Sequence, residues 1–306
     1  MNDFSFKLNG LTHVVLSIGF TCIASVALSQ FNMVAKALDH YKNNEFDSAK
    51  YCIDEAAVHM ETADSADTWY FRGFVYRALA KESKEQFPLS KQRAAEYFAR
   101  CIKLDPSGAN ANQSKDVIQN IAISYYNDAV IGVKVKGEID LAVKSFNYYM
   151  STHLMAYPNY NFNEKMVQFY LAIGTFYLDQ YKVDGKNAAA EANWNQAKAA
   201  FEKVLELDPD DFNGNYNIAI LYYNKAVNIV NMAGYDITLA RLSDIQDTSI
   251  VLFRRALPYM KTGLDVEPEN EHILEGLAGI YFALNEPDKS KECKEKLKAI
   301  TKKKEE

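Results

Sequence analysis

Trp69-Tyr70-Phe71-Arg72-Gly73-Phe74-Val75-Tyr76, followed after an interval by Ala94-Ala95-Glu96-Tyr97-Phe98, decides the fold. A small residue stands amid large apolar ones at helical spacing, and a second helix of like pattern follows. The arrangement recurs six times, centred on Ala37, Gly73, Ala122, Gly174, Ala219 and Ala278. Four of the units end on a proline-marked turn: Leu104-Asp105-Pro106, Tyr157-Pro158, Leu207-Asp208-Pro209 and Val266-Glu267-Pro268. An internal repeat of helix pairs is the signature of a stacked array, because no single pair buries its own apolar face. The 306 residues are too many for one compact core and suit such an array. The reading is all-α, with about six helix pairs at roughly 31–62, 66–108, 114–158, 164–210, 213–268 and 271–300.

The net charge is −6, and no basic stripe interrupts it. Nucleic acid, whose binding requires a cationic face, is therefore not an expected partner. The lysines between Lys289 and Lys304 alternate with Glu292 and Glu295 and read as a solvated helix. The 20 Tyr and 17 Phe, against 2 Trp, suit fixed packing positions in a repeat.

The first 29 residues stand outside the array. Val14 to Leu28 is an apolar run, shorter than the roughly 20 residues that span a bilayer. Ala27 and Ser29 supply small residues before Gln30, as at a leader-peptidase site. Residues 1–29 are expected to be a cleaved signal peptide, with 30–306 a single repeat domain in the periplasm or secreted medium. If the leader is retained, it acts as a membrane anchor; only then is a membrane a partner. Gly19-Phe20-Thr21 before Cys22 does not resemble a lipobox. Cys52, Cys101 and Cys293 are odd in number and widely spaced, which is not a disulfide framework. They read as small core residues.

The alternation of the two helices resembles the tetratricopeptide repeat. Trp69, Gly73 and Tyr76, then Ala94, Phe98 and Pro106, match that family's pattern, as do Tyr170, Gly174, Tyr177, Ala197, Phe201 and Pro209. The likeness covers about residues 31–300, and exported members of the family are mostly bacterial. It implies a right-handed α-α superhelix whose inner face is lined by the first helix of each pair. The family spaces the first-helix Tyr and the second-helix Ala by nine residues. Here the central units place Tyr76 18 positions before Ala94, Tyr125 17 before Ala142, Tyr177 20 before Ala197 and Tyr222 34 before Ala256. Additions of this size are expected to lengthen helices by whole turns, forming a ledge along one edge.

No catalytic constellation is visible. His40, His59, His153 and His272 lie in different units, and no metal-ligand spacing, phosphate loop or nucleophile motif occurs. The chain is read as non-enzymatic, with no cofactor and no metal. Asp208-Pro209-Asp210-Asp211 reads as a helix cap rather than a calcium loop.

Carrying the family's inner-face register onto this sequence gives Tyr70, Phe71 and Phe74, then Asn120, Ile123 and Tyr126. It continues with Gln168, Leu171 and Thr175, then Tyr216, Asn217, Tyr223 and Asn224, and ends near His272 and Glu275. The lining is aromatic and amide. Asn both donates to and accepts from a peptide backbone, and Tyr adds rigid contact area. The expected partner is a protein or peptide held in the groove. The clamp by which some members of the family hold a carboxylate is missing: the first unit has Val34 and Leu38 where it needs Lys and Asn, the second Phe71 where it needs Asn, and the third Asp116 and Asn120 where it needs Lys and Arg. One alternative is a glycan-binding component of an envelope polysaccharide system, because the same residue types suit sugars; another is a membrane-anchored or cytoplasmic adaptor, if the leader is not cleaved.

Overall fold

A computed structural model describes residues 33–85, 87–184, 188–231 and 237–305. The leader at 1–29 lies outside the described residues, as do Lys186, Asn187 and Gly234 in the enlarged fourth and fifth units. Among the described residues the fold is all-helical. Helical residues 33–42 form α1, followed by α2 (Phe46–Val58), α3 (Ala66–Glu82), α4 (Leu89–Leu104) and α5 (Ala109–Ile131). A π-turn (Gly132–Lys136) leads to α6 (Ile139–Ala156), α7 (Asn163–Asp184) and α8 (Ala188–Leu207). Then come α9 (Phe212–Asn231), α10 (Leu239–Val266), α11 (Glu271–Ala283) and α12 (Pro287–Glu305). No described helix is long and apolar enough to cross a membrane.

Two compact units result. The first holds α1 to α4 with most of α5 and α6, up to Ala129 and from Val143 to Tyr160. The second holds Val130–Ala142, the tip of the α5–α6 hairpin, together with α7 to α12.

In the first unit, Ala37, Ala49, Cys52, Ile53, Ala56 and Val75 form a buried cluster. Gly73 lets Phe98 of α4 pack directly against the α3 backbone. The α1–α2 turn is short. Asn44 takes φ 61°, and the Glu45 N–H bonds the His40 carbonyl at 2.9 Å, closing α1 with the six-to-one bond of a left-handed cap. In the second unit the last pair repeats the device: Asn285 has φ 58° and the Glu286 N–H reaches the Tyr281 carbonyl at 2.8 Å. Asn tolerates this conformation better than other non-glycine residues.

The second unit's core gathers Phe201, Ile218, Leu221, Ala256, Met260, Ile273 and Leu277. Gly174 receives the Phe201 ring as Gly73 receives Phe98. Ser290 on α12 is buried and its hydroxyl donates to the Ala278 carbonyl at 2.8 Å. Asp211 caps α9, its Oδ1 accepting the Gly214 N–H at 2.6 Å, as its place after Pro209 suggested. Trp194 donates its indole N–H to the Leu221 carbonyl at 3.2 Å, tying α8 to α9.

The extra residues of the central units are mainly helix. α5 has 23 residues, α7 22, α9 20 and α10 28. The second pair is the exception, because Pro88 leads into α4 and residues 83–85, 87 and 88 between the two helices are non-helical. Cys52, Cys101 and Cys293 are all buried and free. Burial raises the thiol pKa of Cys101 and of Cys293, which suits core residues rather than reactive thiols.

Candidate functional site

The second unit contains a groove of about 500 Å³. This is within the size range of ligand sites, roughly 300–1,000 Å³. Gln168, Leu171, Ala172, Thr175, Phe176 and Asp179 recur at steps of three and four and line it from one face of α7. Asn213 and Asn217, four apart on α9, line the opposite wall. Val133 and Lys134, from the hairpin tip, close a third side.

The tip reaches α7 because its backbone is tightly folded. α5 does not stop at the usual turn but widens into the π-turn, a feature often found at functional positions. Gly137 ends it with φ 68°, a left-handed conformation that glycine adopts without strain. The Glu138 N–H bonds the Gly132 carbonyl at 2.9 Å. Gly132 permits close approach to α6, since a Cβ there would lie 2.9 Å from the Ala142 Cβ. A Cβ on Gly137 would lie 2.9 Å from the Phe176 ring, so the tip rests directly on a groove-lining residue. The addition to the third repeat thus forms a wall of the groove.

The polar groups of the groove are side-chain amides, one hydroxyl and two charged side chains. The side-chain amides of Asn213 and Asn217 have no partner among the described residues. Thr175 donates to the Leu171 carbonyl at 2.8 Å, leaving its oxygen lone pairs toward solvent. Gln168 donates to Glu164 at 3.2 Å. Leu171, Ala172 and Phe176 supply an apolar floor, while Lys134 and Asp179 bring opposite charges to the rim. Such a surface offers donors, acceptors and apolar contact without a strong field of either sign.

Of the residues read from the register, Gln168, Leu171, Thr175 and Asn217 meet in this groove. Val133, Lys134, Ala172, Phe176, Asp179 and Asn213 were not anticipated. Tyr216 is half-buried and stacks on Phe212 at 5.9 Å; burial, then Glu275, raises its phenol pKa. Tyr223 is committed to packing, edge-on to Phe253 at 5.5 Å with its hydroxyl close over Gly279. Asn224 is half-buried one turn further along α9 than Ile220.

In the first unit, Tyr70 is buried, only 8% exposed, and its ring meets Phe74 edge-on at 4.9 Å and Phe98 at 6.0 Å. Tyr70, Phe71 and Phe74 line a separate pocket with residues of α1. Asn120 is exposed on α5, and Tyr126 is half-buried against Phe146 and Tyr149 of α6. No group of three or more His, Cys, Asp or Glu that could hold a metal occurs among the described residues.

The tetratricopeptide repeat family model matches residues 193–211, the greater part of α8 and the turn before α9. A comparison with curated proteins finds no match. Among solved structures the chain is similar to PilF of Pseudomonas aeruginosa, at 14% identity over 89% of this chain and 91% of that one, with a TM-score of 0.31. It is also similar to PilW, a type IV pilus biogenesis factor, at 15% identity over 89% and 93%, with a TM-score of 0.29. Human IFIT1 with the capped RNA m7Gppp-AAAA shares 13% identity over 85% of this chain and 58% of that one, with a TM-score of 0.33. Among the described residues the chain is an all-helical array of helix pairs, and residues 193–211 match the tetratricopeptide repeat model.

Proposed function

We propose that the protein is a non-catalytic interaction scaffold that holds an extended peptide segment of a partner protein in the α7–α9 groove. The observation that carries this reading is the pair of amides of Asn213 and Asn217, without partners among the described residues, beside the apolar floor of Leu171 and Phe176. Amides spaced along one helix can pair with successive groups of a peptide main chain, and the floor takes its side chains. The apolar leader of the sequence supports an extracytoplasmic location for this activity, in a periplasm or secreted.

The test is affinity capture from the envelope fraction of the native host, with N-terminal sequencing of the recovered chain. One enriched partner, lost when Asn213 and Asn217 are both replaced by Ala in a folded variant, supports the reading. Undiminished capture by that variant removes the groove from it. A recovered chain beginning at Gln30 supports export; an intact N-terminus in the membrane fraction makes the scaffold an anchored one.

A further inference from the structure

We infer that Asn213 is a site of spontaneous deamidation, held in check by the Asp211 cap of α9, and that its conversion changes the charge of the α7–α9 groove. Asn-Gly occurs twice in the sequence, as Asn9-Gly10 and as Asn213-Gly214. The first lies outside the described residues. An asparagine before glycine is the labile case. A residue without a Cβ leaves its nitrogen open to the preceding side chain and turns freely into the geometry of attack. Asn213 is exposed, and its amide has no partner among the described residues. Asn215, two residues on, is the contrast. It is buried, and its amide donates to the Pro209 carbonyl at 2.9 Å and to the Asp211 carbonyl at 3.0 Å. Packing fixes the glycine of the pair. A Cβ on Gly214 would lie 2.8 Å from the Leu205 side chain and 2.9 Å from that of Val204, both on α8. The core that needs Gly214 therefore keeps the labile pair in the groove wall.

In the reaction the Gly214 nitrogen gives its proton to hydroxide and bonds to the Asn213 Cγ. The Cγ–Nδ2 bond breaks, and ammonia leaves with a proton from water as a succinimide ring closes. Water then opens the ring at either carbonyl and leaves an aspartate or an isoaspartate. Two features of the fold oppose the first step. The Gly214 N–H is held by the Asp211 Oδ1 at 2.6 Å, and ring closure requires a ψ at position 213 well outside the range of α9. Attack therefore passes through opening of the first turn of the helix, and the cap sets how often that turn opens. Asp211 is a positioning residue for this chemistry, since it acts on the Gly214 nitrogen and not on the amide. The product exchanges the two N–H donors of the Asn213 amide for an anion, in a groove that already holds Asp179. Its effect on partner capture rests on the reading of the groove proposed above; the modification itself does not.

The test is mass spectrometry of the tryptic peptide 204–225 from the full chain, incubated folded at mildly alkaline pH, with isoaspartate measured by enzymatic methylation. Conversion is expected at Asn213, faster as pH rises, and not at Asn215, Asn217 or Asn224. Asp211→Ala removes the acceptor, and conversion should become about fivefold faster, the gain in open population when a cap is lost. Asp211→Asn keeps an acceptor and should stay near the parent rate, whereas a loss of charge alone would speed both variants alike. Circular dichroism of the incubated chains shows that each is folded. In urea, where the first turn of α9 is open in every chain, parent and variants should convert at one common, faster rate. Conversion absent from all three folded chains overturns the proposal. Equal rates in the folded parent and Asp211→Ala overturn it as well, and so does conversion spread evenly over the asparagines of the peptide. Where Asn213 converts as expected but Asn213→Asp captures the partner as fully as the parent chain does, the groove reading fails and the modification stands.

Discussion

Phe98 lies over Gly73 so closely that a Cβ built on the glycine would stand 2.8 Å from the ring. Two effects oppose each other when Gly73 becomes Ala. Helix propensity gains about 1 kcal/mol in the interior of α3. Overpacking of a core ring costs about 1–3 kcal/mol, and Phe98 has little room to yield because it is fully buried and flanked by Tyr70 and Phe74. Overpacking should win, so Gly73→Ala is expected to lower the urea midpoint. Adding Phe98→Leu to the variant should restore part of the loss, a negative coupling energy in a double-mutant cycle. Simple additivity of the two changes would show that the contact does not set the α3–α4 distance.

Gly137 and Phe176 give a prediction about the groove rather than the core. At φ 68° an Ala at position 137 is strained by about 1–2 kcal/mol. Its Cβ also meets the Phe176 ring at 2.9 Å. Both effects push the tip away from α7, taking Val133 and Lys134 out of the groove wall. Gly137→Ala should therefore weaken partner capture while the helical signal stays close to that of the parent chain. An unchanged affinity would mean that the tip is not part of the binding surface.

The repeat was legible because its packing rule is written at fixed spacing. Gly73 and Phe98, and Gly174 and Phe201, are small and large partners on successive helices, and the sequence shows both members. Inner-face residues on α7 and α9 were legible for the same reason, as Gln168, Thr175 and Asn217 follow from register. Phe176 and Asp179 continue the α7 stripe by a turn and could have been read from it. Val133 and Lys134 could not, since they reach the groove through a π-turn and a left-handed glycine that no periodicity reports. Tyr223 points to the opposite limit. Its register marks it as a lining residue, but Gly279 on α11 opens a space that its hydroxyl occupies. A small residue on a later helix decides whether an aromatic one is free.

Asp54 organises the α2–α3 contact. Its carboxylate accepts from Arg72 at 2.9 Å, from Lys50 at 2.9 Å and from the Tyr76 hydroxyl at 2.8 Å. The hydrogen bond to Asp54 raises the Lys50 pKa. Arg72 is the sensitive partner, with its side chain 15% exposed and its guanidinium 4.2 Å from the centre of the Tyr97 ring. Burial holds that phenol up at about 12, so it stays neutral and presents a ring face to the cation. Asp54→Ala leaves a half-buried cation without its anion and should cost about 1–3 kcal/mol in urea unfolding. Asp54→Asn keeps an acceptor and should cost less. Equal losses for the two would assign the effect to packing instead of charge.

His153 sets the expected response to acid. It is 7% exposed on α6, with the rings of Tyr149, Tyr157 and Tyr160 at 5.9, 5.0 and 4.4 Å. Burial lowers its pKa below the usual value of 6.5. The folded chain therefore binds the proton less readily than the unfolded chain, and stability rises with pH across the interval between the two pKa values. The contribution is fully present above the unfolded value and is lost as pH falls from there toward the folded one. Carboxylates titrate lower, so the decline between about pH 7 and pH 5.5 belongs to histidine. His153→Phe removes the titrating group and keeps a ring of similar size among the tyrosines. The parent chain should lose thermal stability across that interval, and the variant should show a flatter profile whatever its absolute midpoint. Parallel profiles would move the acid response away from this residue.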